Sequence, residues 1–475
     1  MKVLFAAAEL SPLAKVGGLG DVAGSLPRAL RERGADVRAA IPFYASIGRE
    51  GLSLERIAEV GVPWPGGDER ATIWRTEVRG VPVYLVENER YFSRPNVYGY
   101  DDDKDRFLFF CDALLAAAPE LGFLPDVVHA QDWHSAFLLT RLRTGTDHPW
   151  SRCGSVYTIH NLALQGNFDQ GFANHFGIPA QALAAPDGVD PSLTMSAMAQ
   201  GILHASRVNT VSDTYAREIL TPEYGAGLDP LLRARGHALS GIVNGIDYEE
   251  FDPSRDPALA ARFSADELAP RAQNKRELQR RAGLAQRDDV IVFGVVTRLF
   301  AQKGIDLVPD ALTPLIEPRN IQLIVLGTGD QSVHDALLAM QARYPGNVRV
   351  WLEFNPPLGQ LIYGGCDAFL MPSRYEPCGL GQLISLRYGA IPVVRRTGGL
   401  TDTVQDADAQ LRTGTGFVFE RAVSADLQHA CTRAEAAFRD RDAWRAMQLR
   451  GMRQDWSWSR AAGAYLALYD LTAGA

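Results

Sequence analysis

The stretch Asp367-Ala-Phe-Leu-Met371, followed by Ser373-Arg-Tyr-Glu-Pro-Cys-Gly-Leu-Gly-Gln382 and Leu383-Ile-Ser-Leu-Arg-Tyr388, decides how this chain is read. The first run is short, apolar and bounded, as a buried parallel strand is, and the last has the spacing of a helix. Between them lie a carboxylate (Glu376), a proline and a glycine. A strand's C-terminal end leading into a helix N-terminus is where open α/β sheets bind ligands. The first helical N–H groups are unpaired there and favour an anionic or hydroxyl-rich partner.

Outward from this stretch the same alternation recurs. Val290–Thr297, Ile321–Leu326, Val348–Leu352 and Ile391–Val394 read as strands, with helices over Ile305–Ile316 and Gln331–Tyr344. Asp367–Met371 and Ile391–Val394 complete that sheet. Nearer the N-terminus, Met1–Ala8, Val37–Ile41, Asp126–Ala130, Gly154–Ile159 and Arg207–Val211 read as strands, and Ile242–Asp247 ends another in a tight turn. Gly51–Gly99 is rich in Gly, Pro and β-like runs such as Val81–Val86 and reads as an added meander. Tyr248–Pro270, with three prolines and many charges, reads as a crossing into a second domain. The fold class is α/β, with two doubly wound, Rossmann-like parallel-sheet halves and a deep cleft between them.

At 475 residues the chain exceeds one typical core. A composition of 46% apolar and 22% charged residues is that of an ordinary soluble protein. No apolar run is long enough to span a bilayer, and Glu9 and Pro12 cut short the only signal-like segment, so a first strand is expected there and no membrane partner. The net charge of −8 argues against a general nucleic-acid binder. Five scattered cysteines fit reduced thiols in the cytoplasm.

Several local patterns point to chemistry. Gly18-x-Gly20-x-x-Ala23 matches a dinucleotide fingerprint. However, a loop separates it from the strand, and the second strand ends in Pro42-Phe43 instead of an acidic residue, so NAD binding is set aside. Lys15 beside Gly17 and Gly18 suits an anion-cradling loop. Asp101-Asp102-Asp103 could hold a metal, but reads more simply as the acidic first turn of the helix Lys104–Ala118. His129 and His134 match no zinc spacing, and no metal or other cofactor is expected. Asp132 and His160 project from what read as neighbouring strand ends. In the second half the strand ends carry Arg298 and Lys303, Gly327-Thr-Gly-Asp330, Glu376, and Thr397-Gly398-Gly399. Two cations just beyond one strand can neutralise a diphosphate leaving group without a metal. Glycine pairs let backbone N–H groups approach phosphate or ribose. Together these features suggest group transfer from a diphosphate-activated donor, with the acceptor held by the first half.

Lys15-Val-Gly-Gly-Leu-Gly-Asp-Val22, Asp132-Trp-His134, His160-Asn-Leu162, Val243-Asn-Gly-Ile-Asp247, Arg298-Leu-x-x-Gln-Lys-Gly304, Glu376-Pro-Cys-Gly-Leu380 and Arg396-Thr-Gly-Gly-Leu400 run in order over essentially the whole chain. In combination they resemble the bacterial glycogen synthase and plant starch synthase family. The resemblance implies a GT-B fold divided as an N-terminal acceptor-side domain (1–245), a nucleotide-sugar-binding domain (246–455) and a C-terminal helix (456–475) crossing back to the first. It implies retaining transfer of glucose from ADP-glucose, with UDP-glucose as the alternative donor, to glycogen or another α-1,4-glucan. Carried over residue by residue, Lys15, Gly17 and Gly18 lie near the donor phosphates and sugar, and Arg298 and Lys303 hold the diphosphate. Glu376, Cys378, Gly379 and Leu380 bind glucose hydroxyls, and Asp132, His160 and Asn244 complete the glucose pocket. The His160 carbonyl faces the anomeric carbon. Thr397, Gly398 and Gly399 lie on the donor side, Phe354 stacks on the base, and Glu9 and Tyr98 face the acceptor. Closure of the two domains over the donor is expected.

Two positions depart from the family's pattern. Asn355-Pro-Pro-Leu-Gly-Gln360 stands where the family tends to show an acidic residue, small residues and a His, which bears on nucleotide preference. Gly381 replaces a more usual Thr or Ser. Two rival readings are a different GT-B glucosyltransferase with another nucleotide or a small acceptor, and a catalytically silent glucan-binding protein.

Overall fold

The computed structural model describes residues 1–145 and 148–473. It divides into two compact units, Met1–Gly245 with the C-terminal helix Trp458–Ala473, and Ile246–Ser457.

Among the described residues the first unit is built on nine strands: β1 (Lys2–Ala6), β2 (Asp36–Pro42), β3 (Glu55–Val62), β4 (Glu69–Val78), β5 (Val81–Glu87), β6 (Val127–Gln131), β7 (Gly154–Ile159), β8 (Arg207–Thr210) and β9 (Leu239–Gly241). They lie in the order β3-β4-β5-β2-β1-β6-β7-β8-β9. Every pair from β5 to β9 is parallel, and only β3-β4 and β4-β5 are antiparallel. The Gly51–Gly99 meander is therefore an antiparallel extension of the parallel sheet. In β1, Val3, Leu4, Phe5 and Ala6 are fully buried. A strand covered on both faces needs such an unbroken apolar run. The C-terminal helix packs on the helix Gly18–Glu32 and on β7. There Tyr469 Oη lies 2.8 Å from His129 Nδ1, and the other ring nitrogen of His129 meets Thr158 Oγ1 at 2.6 Å. His129 is thus a satisfied core residue.

The second unit carries six parallel strands, β10 (Val292–Val296), β11 (Gln322–Leu326), β12 (Val348–Trp351), β13 (Ala368–Met371), β14 (Ile391–Arg395) and β15 (Phe417–Phe419), in the order β12-β11-β10-β13-β14-β15. Two expectations need correction. The sheet does not end at Ile391–Val394: β15 adds a further strand, which three residues of sequence were too short to announce. In the first unit the last strand is Leu239–Gly241, and Ile242–Asp247 is the irregular segment after it.

Strand order locates the sites. In the first sheet β1 is flanked by β2 on one side and β6 on the other, and in the second β10 is flanked by β11 and β13. Consecutive connections leave in opposite directions at these points. This opens a crevice beyond the strands' C-terminal ends, where doubly wound sheets bind ligands. The glycine loop follows β1 and Asp132 follows β6. Arg298 and Lys303 follow β10, and Glu376 follows β13.

Candidate active site

In the first unit a carboxylate organises the glycine loop. Glu9 is buried, and its Oε2 accepts the N–H groups of Val16 (2.6 Å) and Gly17 (2.9 Å), while Tyr98 donates its hydroxyl to Oε1. The Tyr98 ring stacks on His134, with centroids 5.3 Å apart. Glu9 and Tyr98, read from sequence as acceptor-facing, are thus bonded to each other and to the loop that starts the helix Gly18–Glu32. The glycines of that helix start divide into two kinds. A Cβ at Gly20 would come within 3.0 Å of Glu9 Oε2, and one at Gly24 within 2.6 Å of Ser11 O. A Cβ at Gly17 or Gly18 would meet nothing within 4 Å. Packing demands glycine at position 24 and leaves a tight fit at 20, whereas at 17 and 18 the bare backbone is open to an incoming group. Lys15 Nζ lies 2.5 Å from Asp21.

Asp132 opens a helix directly after β6 with φ +52°, a left-handed backbone that non-glycine residues adopt mainly at constrained sites. Its Oδ1 accepts the N–H groups of His160 (2.7 Å) and Asn161 (3.5 Å), tying the β6 tip to the β7 tip. Among the described residues Oδ2 has no partner. Burial, reinforced by the nearby charge of Glu9 and opposed by the two N–H donors, pushes the Asp132 carboxyl up to about 7. His160 Nε2 lies 2.8 Å from Gln131 Oε1, and burial pulls this imidazole down to about 4. His134 is buried and pulled down to about 3, with Arg106 adding to the effect. Both rings are neutral at pH 7. Asn244 is buried, and its Oδ1 has no partner among the described residues.

In the second unit Lys303 Nζ lies 2.9 and 2.7 Å from the two oxygens of Glu376, and Ser373 donates its hydroxyl to Oε2 at 2.9 Å. Glu376 is buried in the turn that leads into the helix Gly381–Arg387. Arg298 is exposed, its guanidinium 5.6 Å from the Phe300 ring. The turn after Glu376 is seated on Thr397-Gly398-Gly399. A Cβ at Gly398 would fall 2.0 Å from Glu376 O and one at Gly399 2.1 Å from Cys378 O. The Gly399 N–H donates to Glu376 O (3.0 Å) and Pro377 O (3.2 Å). This corrects the expectation that the glycine pair offers its amides to phosphate: the glycines admit the turn, and the Gly399 amide is used within the protein. Cys378 and Thr397 are buried beside it. The N–H groups of Gly379 and Leu380 have no partner among the described residues. Phe354 stands 89% exposed just before the helix Pro356–Gly365, whose N-terminus is capped by Asn355 accepting from Leu358 at 3.1 Å. An aromatic ring this exposed has no packing role.

Family models match the chain in two parts, the starch synthase catalytic domain over residues 2–234 and glycosyl transferases group 1 over residues 275–445. The glycogen synthase of Geotalea daltonii is 43% identical over 489 aligned residues, covering 99% of both chains. The chain belongs to the glycogen and starch synthase family of hexosyltransferases. A second member, the glycogen synthase of Moorella thermoacetica, is 43% identical over 99% of this chain and 96% of its own. The catalytic domain of starch synthase IV from Arabidopsis thaliana, solved bound to ADP and acarbose, superposes with a TM-score of 0.90 at 31% identity. It covers 100% of this chain and 99% of its own, and the two-unit α/β architecture is the GT-B fold.

Several partners within this family member's site escaped the sequence reading. Ser373 and Gln131 carry no motif, yet each fixes a site residue, Glu376 and His160 respectively. Pairing β6 with β7 in register, Gln131 opposite Thr158, would have put Gln131 beside His160. Nothing in local spacing announces Ser373. The acidic triplet is used structurally: Asp102 accepts from Arg94 at 2.5 and 2.6 Å, and Asp103 accepts the N–H groups of Gly99 (2.6 Å) and Tyr100 (3.1 Å) and pairs with Arg106.

Proposed function

We propose that the protein transfers glucose from ADP-glucose to the non-reducing end of an α-1,4-glucan, with retention of configuration. The observation that carries this reading is the Lys303–Glu376 pair. A half-buried ammonium and a buried carboxylate, held together at a sheet switch point, suit a ligand with one anionic part and one polyhydroxyl part. A nucleoside diphosphate sugar has both. Lys303 and Arg298 take the diphosphate. Glu376, with the amides of Gly379 and Leu380, takes glucose hydroxyls. Asp132 Oδ2, His160 and Asn244 complete the sugar contacts, and Lys15, Gly17 and Gly18 approach the phosphates. Phe354 offers its exposed ring to the base.

The bond from C1 to the diphosphate oxygen breaks, leaving oxocarbenium-like charge on the sugar while the two cations stabilise the departing group. The acceptor hydroxyl attacks the same face and gives its proton to the departing phosphate oxygen, so ADP leaves and the glucan gains one residue. A double displacement would need a second carboxylate placed as a nucleophile. Glu9 is engaged by three donors, and Asp132 holds two amides with one oxygen, so a front-face route fits better. A glucosyl–enzyme adduct trapped on a side chain with donor alone would rule it out. The five cysteines are all free, which suits a cytoplasmic location, and no helix among the described residues is long and apolar enough to cross a membrane.

The test is nucleoside-diphosphate release and chain extension on maltooligosaccharides, with ADP-glucose and UDP-glucose offered separately. Extension preferring ADP-glucose is expected. Preference for UDP-glucose would move specificity to Asn355–Gln360. Donor turnover without extension would indicate a glucosyltransferase with a different acceptor.

A further inference from the structure

Arg298 stands in a loop whose path is dictated by its neighbour. Leu299 donates its N–H to Thr328 O (2.8 Å) and accepts the Asp330 N–H (2.9 Å), and Thr297 donates to Leu326 O (3.1 Å). The backbone on both sides of Arg298 is thereby latched to β11 and the Gly327–Asp330 loop. The contact is close: a Cβ at Gly329 would lie 2.4 Å from Leu299 O.

The Gly327–Asp330 loop is in turn held by one side chain. Asp330 is the N-cap of the helix Gln331–Arg343 but makes no side-chain capping bond. Instead the Gly329 N–H donates to His334 Nε2 at 2.9 Å. A residue in the first helical turns reaches back to an amide before the helix, as the Glu or Gln of a capping box does. A backbone N–H can only donate, so Nε2 accepts with its lone pair. Glutamine could make the same bond through its side-chain carbonyl oxygen, whereas leucine could not.

We propose that His334 is a positioning residue for the donor site: as a hydrogen-bond acceptor it holds the Gly327–Asp330 loop, and through it Arg298, in the geometry that binds the donor diphosphate. Loss of that acceptor releases the Gly329 amide and weakens donor binding. The inference rests on the donor reading of the second unit given above. The charged groups that accompany His334 on its own helix and cap are Asp330, Asp335 and Arg343. Those on elements packed against that helix are Asp306, which is bound by Arg374, then Asp310, Glu317 and Arg319 on the helix Val308–Arg319, and Arg349 on β12.

The experiment measures the donor KM with ADP-glucose, at saturating glucan, and ADP affinity by calorimetry, for the wild type, His334→Gln, His334→Leu and Arg298→Ala at one fixed pH. His334→Leu is expected to raise the donor KM and weaken ADP about fivefold, the factor one ordinary hydrogen bond supplies, with the saturated rate unchanged. His334→Gln, which restores an acceptor, should return the donor KM to the wild-type value. A folded His334→Leu with the wild-type donor KM would overturn the inference, as would His334→Gln with a raised one, and the glutamine comparison stands even if His334→Leu folds poorly. If Arg298→Ala raises the donor KM while His334→Leu tracks the wild type, His334 is only a helix cap. If Arg298→Ala leaves the donor KM unchanged, the clamp reading itself fails, and the inference with it.

Discussion

Replacing Asp132 by asparagine should make the protein more stable and less active, and the size of the first effect can be worked from the site. Asp132 is 8% exposed, and its carboxyl is pushed from 3.8 to about 7, chiefly by burial. In the unfolded chain this proton leaves near the ordinary carboxyl value, whereas in the folded protein it leaves near neutrality. Between those limits the unfolded state binds fewer protons, so stability falls as pH rises. The contribution is complete below about pH 4 and lost on passing through about pH 7. A displacement of that size corresponds to roughly 4 kcal/mol when complete. An asparagine side chain would keep the Oδ1 acceptor for the His160 amide and tolerates the left-handed backbone, so the substitution removes the ionisation and little else. Asp132→Asn should therefore match the wild type near pH 4 and exceed it by up to roughly 4 kcal/mol at pH 8, about 8 °C in Tm for a unit of this size. Differential scanning calorimetry across that range, with turnover assayed in parallel, is the measurement. Turnover should drop about a hundredfold if, as proposed, Asp132 Oδ2 contacts the donor sugar, because that oxygen becomes an amide. A stability gap that stays constant with pH would refute the account, because it would show that Asp132 ionises no differently folded than unfolded.

Lys303→Ala should cost at least about a hundredfold in turnover and also destabilise the second unit by roughly 3–5 kcal/mol, since Glu376 would be left buried without its cation. Denaturant titration beside the assay separates the two effects, and a milder stability loss is expected for Glu376→Gln. Gly18→Ala should leave stability unchanged or slightly raised while weakening donor binding, because nothing within the protein opposes a Cβ there. Gly24→Ala should instead destabilise by about 1–3 kcal/mol through its clash with Ser11 O, and equal stability effects of the two would undo the distinction drawn between these glycines.

Local pattern determined much about this protein. Apolar runs bounded by glycine, proline and charge disclosed the parallel α/β class, because strands buried on both faces have few other ways to be written. Residues at the run ends, Asp132, His160, Arg298, Lys303 and Glu376, stood out as candidates because polar side chains gathered at strand tips have no place in the apolar packing between strand and helix. The Phe417–Phe419 strand was too short to stand out, and the strand expected at Ile242–Asp247 lay a few residues early. Tertiary structure alone decided the partnerships. Lys303 meets Glu376 across 73 residues of chain because β10 and β13 are neighbours, a fact of strand order that no local spacing encodes. The same holds for Gly399, whose amide serves the Glu376 turn, and for Glu9, which grips the glycine loop seven and eight residues downstream. Sequence records which groups stand at the ends of strands. Which of them touch is set by long-range pairing, whose energy lies in the packing of the whole sheet.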